Sequence, residues 1–580
     1  MKRAQAPQPV TLASSNDAPR RGAAGTSPPT IMLALWPSPH GDLLIRLVVV
    51  AAVALFAFVQ ATQRGLGLYG DSSDYVECAR SVLRGEGMLL VAPDGTPRPM
   101  VQFPPLYPLL IAAAARLTGD ELTGARALHG TCLVVSVILV GWITCRAGRS
   151  AHWGSAAALL VALAGAFQGV HVRMFSEPCF VALLLAGVAL VFEALARRAV
   201  GAAHVWWLIG AGVAIGGAAL ARYAGIYFVA AVAVAVALVG GGAGVGWRRR
   251  VRDAAIFGAV ASCGLGMWFV RNRLTGAQPA RHLAVHPPGL AHFRQLWATV
   301  SAWSFAIDVP AVGTTLGVGF TAALLALAVY GLRRRGGGFR DAFTGWVAAA
   351  AMGYVLFLIA SFTFADAAMP FDYRILIPIL PLSVIALCAG AAAWMRRTAR
   401  HHPVRTRRAA AVLALMVVTT AVLSAFTLGQ FAHDTATRGL GYAARFWRVS
   451  PTLKAVRRLP PDCIVWSNAP DVIRLLLGRD ARPLPMHRLR TVARPNRRRF
   501  EELHAIAQAM RDRRGGAVVW FDRVDRSDMI VPETVAVNRL PLRRARELPD
   551  GRLYLFDPTL QANAPPATST AAPSTTPARE

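Results

Sequence analysis

The sequence predicts an α-helical polytopic membrane protein of about eleven transmembrane helices with a small C-terminal α/β domain, and three observations carry that prediction. Apolar runs of about twenty residues, the length that crosses a bilayer core, recur from Leu43 to Leu428. Arginines collect in alternate connections between those runs. Beyond Leu428 the composition changes to that of a soluble domain.

Composition narrows the class before any motif is read. The chain is 580 residues long, 54% hydrophobic and 16% charged, with a formal net charge of +31 and a mean hydropathy of +0.42. A soluble nucleic-acid binder carries such a charge but not these apolar runs, so the expected partner is membrane lipid and no nucleic acid. The 37 Pro and 51 Gly are spread along the chain without a repeat, which excludes collagen-like and wholly disordered classes. Of the seven cysteines, Cys132, Cys145, Cys179, Cys263 and Cys388 fall in or beside apolar segments, and no CxxC or Cys/His ligand spacing occurs. Neither a zinc site nor a disulfide framework is expected.

Residues 1–42 form a Pro/Ser/Ala-rich stretch without the apolar core of a signal peptide and read as a disordered cytoplasmic tail. The membrane domain, 43–428, divides into spans at 43–62, 124–145, 152–172, 178–196, 204–221, 223–240, 254–271, 311–332, 343–362, 375–395 and 409–428, with a long outer loop at 63–123. With the N-terminus inside, the cytoplasmic segments hold about 22 basic residues, among them Arg146, Arg149, Arg197, Arg198, Arg248 to Arg252, Arg333 to Arg335 and Arg396 to Arg408. The opposite connections hold Asp71, Asp74, Glu77, Glu86, Asp94, Glu177, Asp366 and Asp372. The positive-inside rule then orients the chain in the cell inner (plasma) membrane as a multi-pass protein, N-terminus cytoplasmic and C-terminus outside.

An odd span count places 429–558 on the outer face. Short apolar runs there (CIVWS from Cys463, AVVWF from Ala517, LYLF from Leu553) alternate with a helical pattern at Pro495 to Arg514, which reads as a small α/β domain. It holds 25 Lys+Arg against 14 Asp+Glu, an excess of 11, for which two readings are open: a face for anionic headgroups or an acidic partner, and a solvated Arg-rich surface. Residues 559–580 are a low-complexity tail.

Chemistry-bearing residues gather at the outer ends of the spans. GDSSDYVECARSVLRGEG from Gly70 sets Tyr75, Cys78, Ala79, Val82 and Leu83 on one face of a short amphipathic helix, with Asp71 at the N-cap position and Asp74 in the first turn. Two readings are open for these acids, helix capping and catalysis. VQFPPLYPLLIAAAARLTG from Val101 follows as a proline-punctuated interfacial helix. Glu177 stands in MFSEP, Arg222 and Tyr223 in ARYAG, and Asp372, Tyr373 and Arg374 in FDYRILIP, each at an outer boundary where ionisable groups are functional candidates. For Arg222 and Arg374 the competing reading is snorkelling to lipid phosphate.

Taken in order, GDxxxYxxxAxxxLxxG, PPLYPLLIA, SEP, ARYAG and DYRxLxPxLP resemble the GT-C class of integral membrane glycosyltransferases, in particular bacterial relatives of protein O-mannosyltransferases and of the lipid A aminoarabinose transferase. The resemblance implies a GT-C-like fold over most of Leu43 to Leu428. It implies an inverting glycosyltransferase that takes a sugar (hexosyl or pentosyl) from a polyprenyl-phosphate donor and has an acid of the first outer loop, here Asp71, as catalytic base. This chain departs from the pattern twice. Ser72 follows Asp71 where several relatives have an Asp-Glu pair, which weakens a metal-holding carboxylate pair and leaves Asp74 as the substitute one turn on. Gln102 and Phe103 precede Pro104 where aminoarabinose transferases carry lysine, which disfavours aminoarabinose transfer.

The same residues suit the chemistry on their own account. Glycosyl transfer needs a base for the acceptor hydroxyl proton and cations for the departing phosphate. Asp71 supplies the first, while Arg222 and Arg374, assisted by Tyr223 or Tyr373, supply the second, because guanidinium binds phosphate in a fork. Three roles are open to Glu177: orienting an arginine, binding a divalent cation, or contacting sugar hydroxyls. The acceptor, whether glycan, lipid or protein, is not specified. No phosphate loop ending in Gly-Lys-Ser/Thr occurs, and GGGAGVG at Gly240 to Gly246 lacks a preceding strand, so a nucleotide-sugar donor is disfavoured. A transporter or flippase of lipid-linked sugars is the main alternative, opposed by the absence of an internal repeat and of mid-membrane charges. An anchored binding protein would need one span and not eleven.

Overall fold

The computed structural model describes residues 39–92, 95–239, 245–276, 285–304, 310–333, 339–365, 369–489, 494–524 and 529–560. Most of the first tail, the last twenty residues, Asp366, Asp94, Arg334, Arg335 and most of GGGAGVG lie outside the described residues. The first helix, α1 (Pro39–Ala61), leads to a long loop holding α2 (Gly70–Leu83), the hairpin of β1 (Leu89–Val91) and β2 (Pro97–Pro99), and α3 (Leu106–Thr118). The bundle continues through α4 (Glu121–Gly148), α5 (Ala151–Leu163), α6 (Gly165–His171), α7 (Glu177–Ala199), α8 (Val205–Ala221), α9 (Gly225–Leu238) and α10 (Trp247–Leu274). After α11 (Leu290–Ser304) come α12 (Pro310–Arg333), α13 (Phe339–Phe364), α14 (Tyr373–Leu376), α15 (Ile379–Thr398) and α16 (Pro403–Arg438).

Every expected span coincides with helix, although not every helix is long enough to cross alone. Seven, α1, α4, α7, α10, α13, α15 and α16, are long and apolar enough, and α5 with α6 makes an eighth if that pair, bent by 61°, is one span. By contrast α8, α9 and the Gly317–Gly331 part of α12 are shorter apolar helices. At 1.5 Å per residue the 14 residues of α9 reach about 21 Å, short of the roughly 30 Å of a hydrocarbon core. Neighbours hold it in place: Tyr227 Oη donates to Ala350 O at 2.9 Å and Trp346 Nε1 donates to Ala231 O at 3.1 Å. Leu44, Val48 and Phe56 on α1, and Leu415, Val422 and Phe426 on α16, are each about half exposed or more. Apolar stripes of that size on helices are covered by lipid, and the chain is a multi-pass membrane protein.

Close helix contact depends on small residues. A Cβ added to Gly331 of α12 would come 2.5 Å from Gly345 Cα of α13, and the reverse holds equally, so neither position admits a side chain. Charge is also used inside the bundle. Arg198, expected in an exposed basic connection, is instead 1% exposed: its Nη atoms donate to Val236 O (2.8 Å) and Val239 O (2.6 Å) and pair with Asp253 at 3.3 Å. The C-terminal carbonyls of α9 have no partner within their own helix, and the guanidinium supplies one while opposing the helix dipole.

After α17 (Arg445–Val449) and α18 (Pro451–Arg457) the chain builds a sheet. Its strands are β3 (Val465–Ser467), β4 (Ala481–Pro483), β7 (Ala517–Phe521), β8 (Leu542–Leu548) and β9 (Gly551–Phe556), in the order β4-β3-β7-β9-β8. A separate two-residue pair, β5 (Arg488–Leu489) and β6 (Arg494–Pro495), lies between β4 and β7 in sequence. β3 runs parallel to both β4 and β7, whereas β7–β9 and β9–β8 are antiparallel. Helices α19 (Pro470–Leu477), α20 (Arg499–Asp512) and α21 (Glu533–Arg539) complete the α/β domain, whose second core includes Trp466, Leu503, Met510, Val518 and Tyr554. The three expected strands and the expected helix are β3, β7, β9 and α20.

Candidate active site

Helix α2 hangs between two other parts of the molecule. Just before it, Gly67 N–H donates to Val172 O and Met174 N–H to Gly67 O, both at 2.9 Å, while Tyr442 N–H donates to Leu68 O at 2.8 Å. The α6–α7 connection thus holds one side and the start of the C-terminal domain the other. Gly441 makes that second approach possible: it has φ +54° and an added Cβ would meet Leu68 O at 2.1 Å.

The N-terminus of α2 differs from expectation. The N-cap is Tyr69, not Asp71, and Ser72 performs the capping: its Oγ accepts from Tyr69 N–H at 3.0 Å and donates to Met174 O at 3.0 Å. Ser72, which replaces the second acid of the related motif, therefore leaves the Asp71 carboxylate available to a tertiary partner.

That partner is Arg374. Its Nη2 lies 2.6 Å from Asp71 Oδ2 and its Nε 2.5 Å from Glu177 Oε1, while Arg222 Nη1 approaches the same Glu177 oxygen at 2.7 Å. Arg222 Nη1 also donates to Ser176 Oγ at 3.2 Å. The Arg374 guanidinium carbon sits 3.9 Å from the centroid of Phe175, close enough for a cation–π contact. Burial works against the Arg374 charge, but Glu177 and Asp71 outweigh it and hold the guanidinium above its ordinary range. Glu177 is 1% exposed, and its Oε2 is buried without a partner among the described residues. Asp71, Glu177, Arg222 and Arg374 thus form a neutral constellation of two acids and two bases drawn from α2, α7, the C-cap of α8 and α14.

The other sequence candidates lie elsewhere. Asp74 Oδ2 accepts from Gln102 Nε2 at 2.6 Å, and burial, reinforced by Asp471, pushes its carboxyl up to about 7. Tyr223 Oη donates to Val101 O and accepts from Trp268 Nε1, each at 3.0 Å, and its ring stacks on Phe269. Tyr373 faces Arg173, whose guanidinium carbon lies 5.4 Å from its ring centroid. Asp372 caps α14, accepting from Arg374 N–H at 3.0 Å and Ile375 N–H at 3.2 Å. These contacts of the two tyrosines are with residues other than Arg222 and Arg374. Among the described residues no group of three or more His, Cys, Asp or Glu side chains is arranged to hold a metal ion.

Sequence reasoning passed over three neighbours. Arg173 Nε donates to Tyr69 Oη at 3.2 Å, Phe175 carries the Arg374 guanidinium, and Arg474 Nη1 reaches Glu77 on α2 at 3.1 Å while its Nη2 reaches Asp471 at 3.1 Å. Arg173 and Phe175 lie just before the SEP motif, so proximity to a motif was the available signal. For Arg474 only the folded domain supplies one. Part of that domain's basic excess is therefore met by an acidic helix of the same chain.

Comparison with known proteins places the fold in a class. Residues 97–239 match the family model of dolichyl-phosphate-mannose-protein mannosyltransferase (PMT), a stretch that contains the PPLYPLL, SEP and ARYAG motifs. No curated protein matches the chain in sequence. In structure it is similar to ArnT from Cupriavidus metallidurans bound to undecaprenyl phosphate, with a TM-score of 0.54 and 13% identity over 91% of this chain and 100% of that one. It is also similar to the archaeal oligosaccharyltransferase AglB from Archaeoglobus fulgidus in complex with an inhibitory peptide and a dolichol-phosphate, with a TM-score of 0.52 and 12% identity over 82% of this chain and 69% of that one. The fold is that of the GT-C glycosyltransferases, and the resemblance drawn from the ordered motifs is borne out at that level.

Proposed function

We propose that the protein is an inverting glycosyltransferase that moves a sugar from a polyprenyl-phosphate donor to an acceptor hydroxyl at the outer face of the plasma membrane. The observation that carries this reading is the Arg374 guanidinium held between Asp71 and Glu177 at one end of the bundle. The ArnT and AglB likenesses support a lipid-linked donor, and they give no support to a transporter.

In this reading Asp71 is the base and Arg374 waits in its grip. A donor phosphate competes for the guanidinium as an anion, so Arg374 turns Nη2 toward phosphate and frees the Asp71 lone pair. The acceptor oxygen attacks the anomeric carbon, Asp71 takes its proton, and the carbon–oxygen bond to phosphate breaks with the electron pair leaving on polyprenyl phosphate. Arg222 and Arg374 receive that growing charge, and Glu177 keeps both guanidiniums aligned.

The proposed arrangement has a cytoplasmic tail at 1–42, a membrane catalytic domain at 43–428 with outer loop 63–123, an outer α/β domain at 429–558 and a tail at 559–580. Reporter fusions after Arg335 and after Pro451 should fall in opposite compartments. The direct test is sugar transfer in proteoliposomes from a radiolabelled polyprenyl-phosphate sugar. Activity with that donor and none with nucleotide sugars supports the reading, and transport of the intact lipid-linked sugar without transfer overturns it.

A further inference from the structure

Next to the constellation, and separate from it, a groove of about 470 Å³ opens between α6, α11, α14 and α16. Its lining combines small and aromatic groups, among them Gly165, Phe431 and the ring of Tyr373, with side chains that donate hydrogen bonds. Arg173 lines it, and no carboxylate pairs with Arg173 among the described residues: its contacts are Tyr69 Oη, Gly169 O and the faces of Tyr373 and Phe431. The Trp303 indole N–H lines it too and is buried without a hydrogen-bond partner among the described residues. Gln295 spends its carbonyl oxygen on Phe371 N–H at 3.3 Å, leaving its NH2 group as a donor, and the Tyr373 hydroxyl has no partner among the described residues. Four donors, one of them a full cation, face no acid within the lining.

The Trp303 N–H, buried without an acceptor among the described residues, is costly to leave unpaired, so the groove is expected to be completed by a ligand that brings acceptor oxygens. The walls restrict the ligand further. Small residues of α6 and the ring of Phe431 form an apolar trough between helices at the boundary of the membrane bundle, where an acyl chain fits and a free ion gains nothing. We infer that this groove seats the phosphate headgroup of a membrane lipid, with Arg173 and the Trp303 N–H on the phosphate oxygens and the lipid chain along α6 and Phe431. The assignment goes beyond the transferase reading: it adds a second lipid site on the far side of Tyr69, whose hydroxyl Arg173 holds and whose backbone caps the helix that carries Asp71.

The test uses the full chain in neutral-lipid nanodiscs with a photoactivatable phosphatidic acid, followed by mapping of the labelled peptides. Labelling should concentrate on α6, α11 and α16 and fall about tenfold with a diacylglycerol of the same chains, because the charge-assisted fork to phosphate is lost. Arg173→Gln should reduce it to a similar extent. Gly165→Leu supplies a variant with no charge change: an added Cβ there meets nothing within 4 Å, and a leucine at this lining position should narrow the groove and also abolish labelling. Millimolar inorganic phosphate should not compete. Equal labelling by diacylglycerol, insensitivity to both variants, or full competition by inorganic phosphate would overturn the assignment. None of these readouts requires sugar transfer, so they stand or fall apart from the proposed activity.

Discussion

Asp71 and Arg374 are 303 residues apart in the chain and 2.6 Å apart in the structure. The contact joins the first turn of α2 to the short helix α14, and Glu177 extends it to Arg222.

Asp71→Asn keeps the size and one acceptor oxygen but loses the charge and the basic lone pair. Turnover in the proteoliposome assay should drop about 10²-fold or more. Thermal stability should change little, because Ser72, not Asp71, caps the helix. Near-normal turnover would show that Asp71 only holds Arg374 in place.

Arg374→Lys retains a cation but cannot reach Asp71 and Glu177 together, so both donor KM and kcat should worsen, and Arg374→Met should be worse in both. A residue that only snorkels to lipid tolerates lysine. Unchanged kinetics in the lysine variant would therefore remove Arg374 from the site.

Glu177→Gln leaves Arg222 and Arg374 facing one another with Asp71 as their one remaining acid in the constellation. Breaking a buried ion pair from one side costs about 3–5 kcal/mol, and Glu177 is buried. A fall in unfolding stability of that order should appear in detergent, and restoring it with a second change, Arg222→Met, would establish the pairing.

Asp74 gives a pH dependence of defined sign. Its carboxyl is raised to about 7 by burial and by Asp471, Asp71 and Glu77, with Arg474 opposing, so the folded chain holds a proton there that the unfolded chain releases near 4. The folded state binds more protons between those values, and the stability contributed by neutral Asp74 is lost as pH rises from about 4 to about 7. In Asp74→Asn this part of the melting-temperature profile should flatten. An unchanged profile would mean that Asp74 is already ionised at pH 5.

Arg474 tests the reach of the C-terminal domain. Arg474→Ala removes the link from α19 to Glu77, and hydrogen exchange in α2 should rise while the sheet stays protected. With α2 loosened, kcat should drop more than donor binding. Unaltered exchange would show that the Gly441 junction is sufficient by itself.

Much of this was legible in the sequence, and the boundary follows the range of the interactions. Long apolar runs and arginine placement are local properties that report a solvent preference, so every expected span coincides with helix. Strands β3, β7 and β9 were readable because their burial makes them apolar. The edge strands were not: β8, LRRAREL, is mostly exposed, and β4 ends in Pro483, so neither carries a hydrophobic signature. The expected span 204–221 matches α8 (Val205–Ala221), whereas 223–240 runs past α9 (Gly225–Leu238) at both ends, because hydropathy continues where the helix stops.

The sequence by itself determined the membrane class, the ends at which ionisable groups gather, and the order of motifs that resembles GT-C enzymes. Only the tertiary structure decided that Arg222 and Arg374 share one oxygen of Glu177, that Tyr223 stacks on Phe269 and Tyr373 faces Arg173, that Arg198 is buried as a helix cap, and that Arg474 holds α2. The physical reason is that hydropathy is summed residue by residue along the chain, whereas an ion pair depends on a distance of about 3 Å between groups that the packing of separate helices alone brings together.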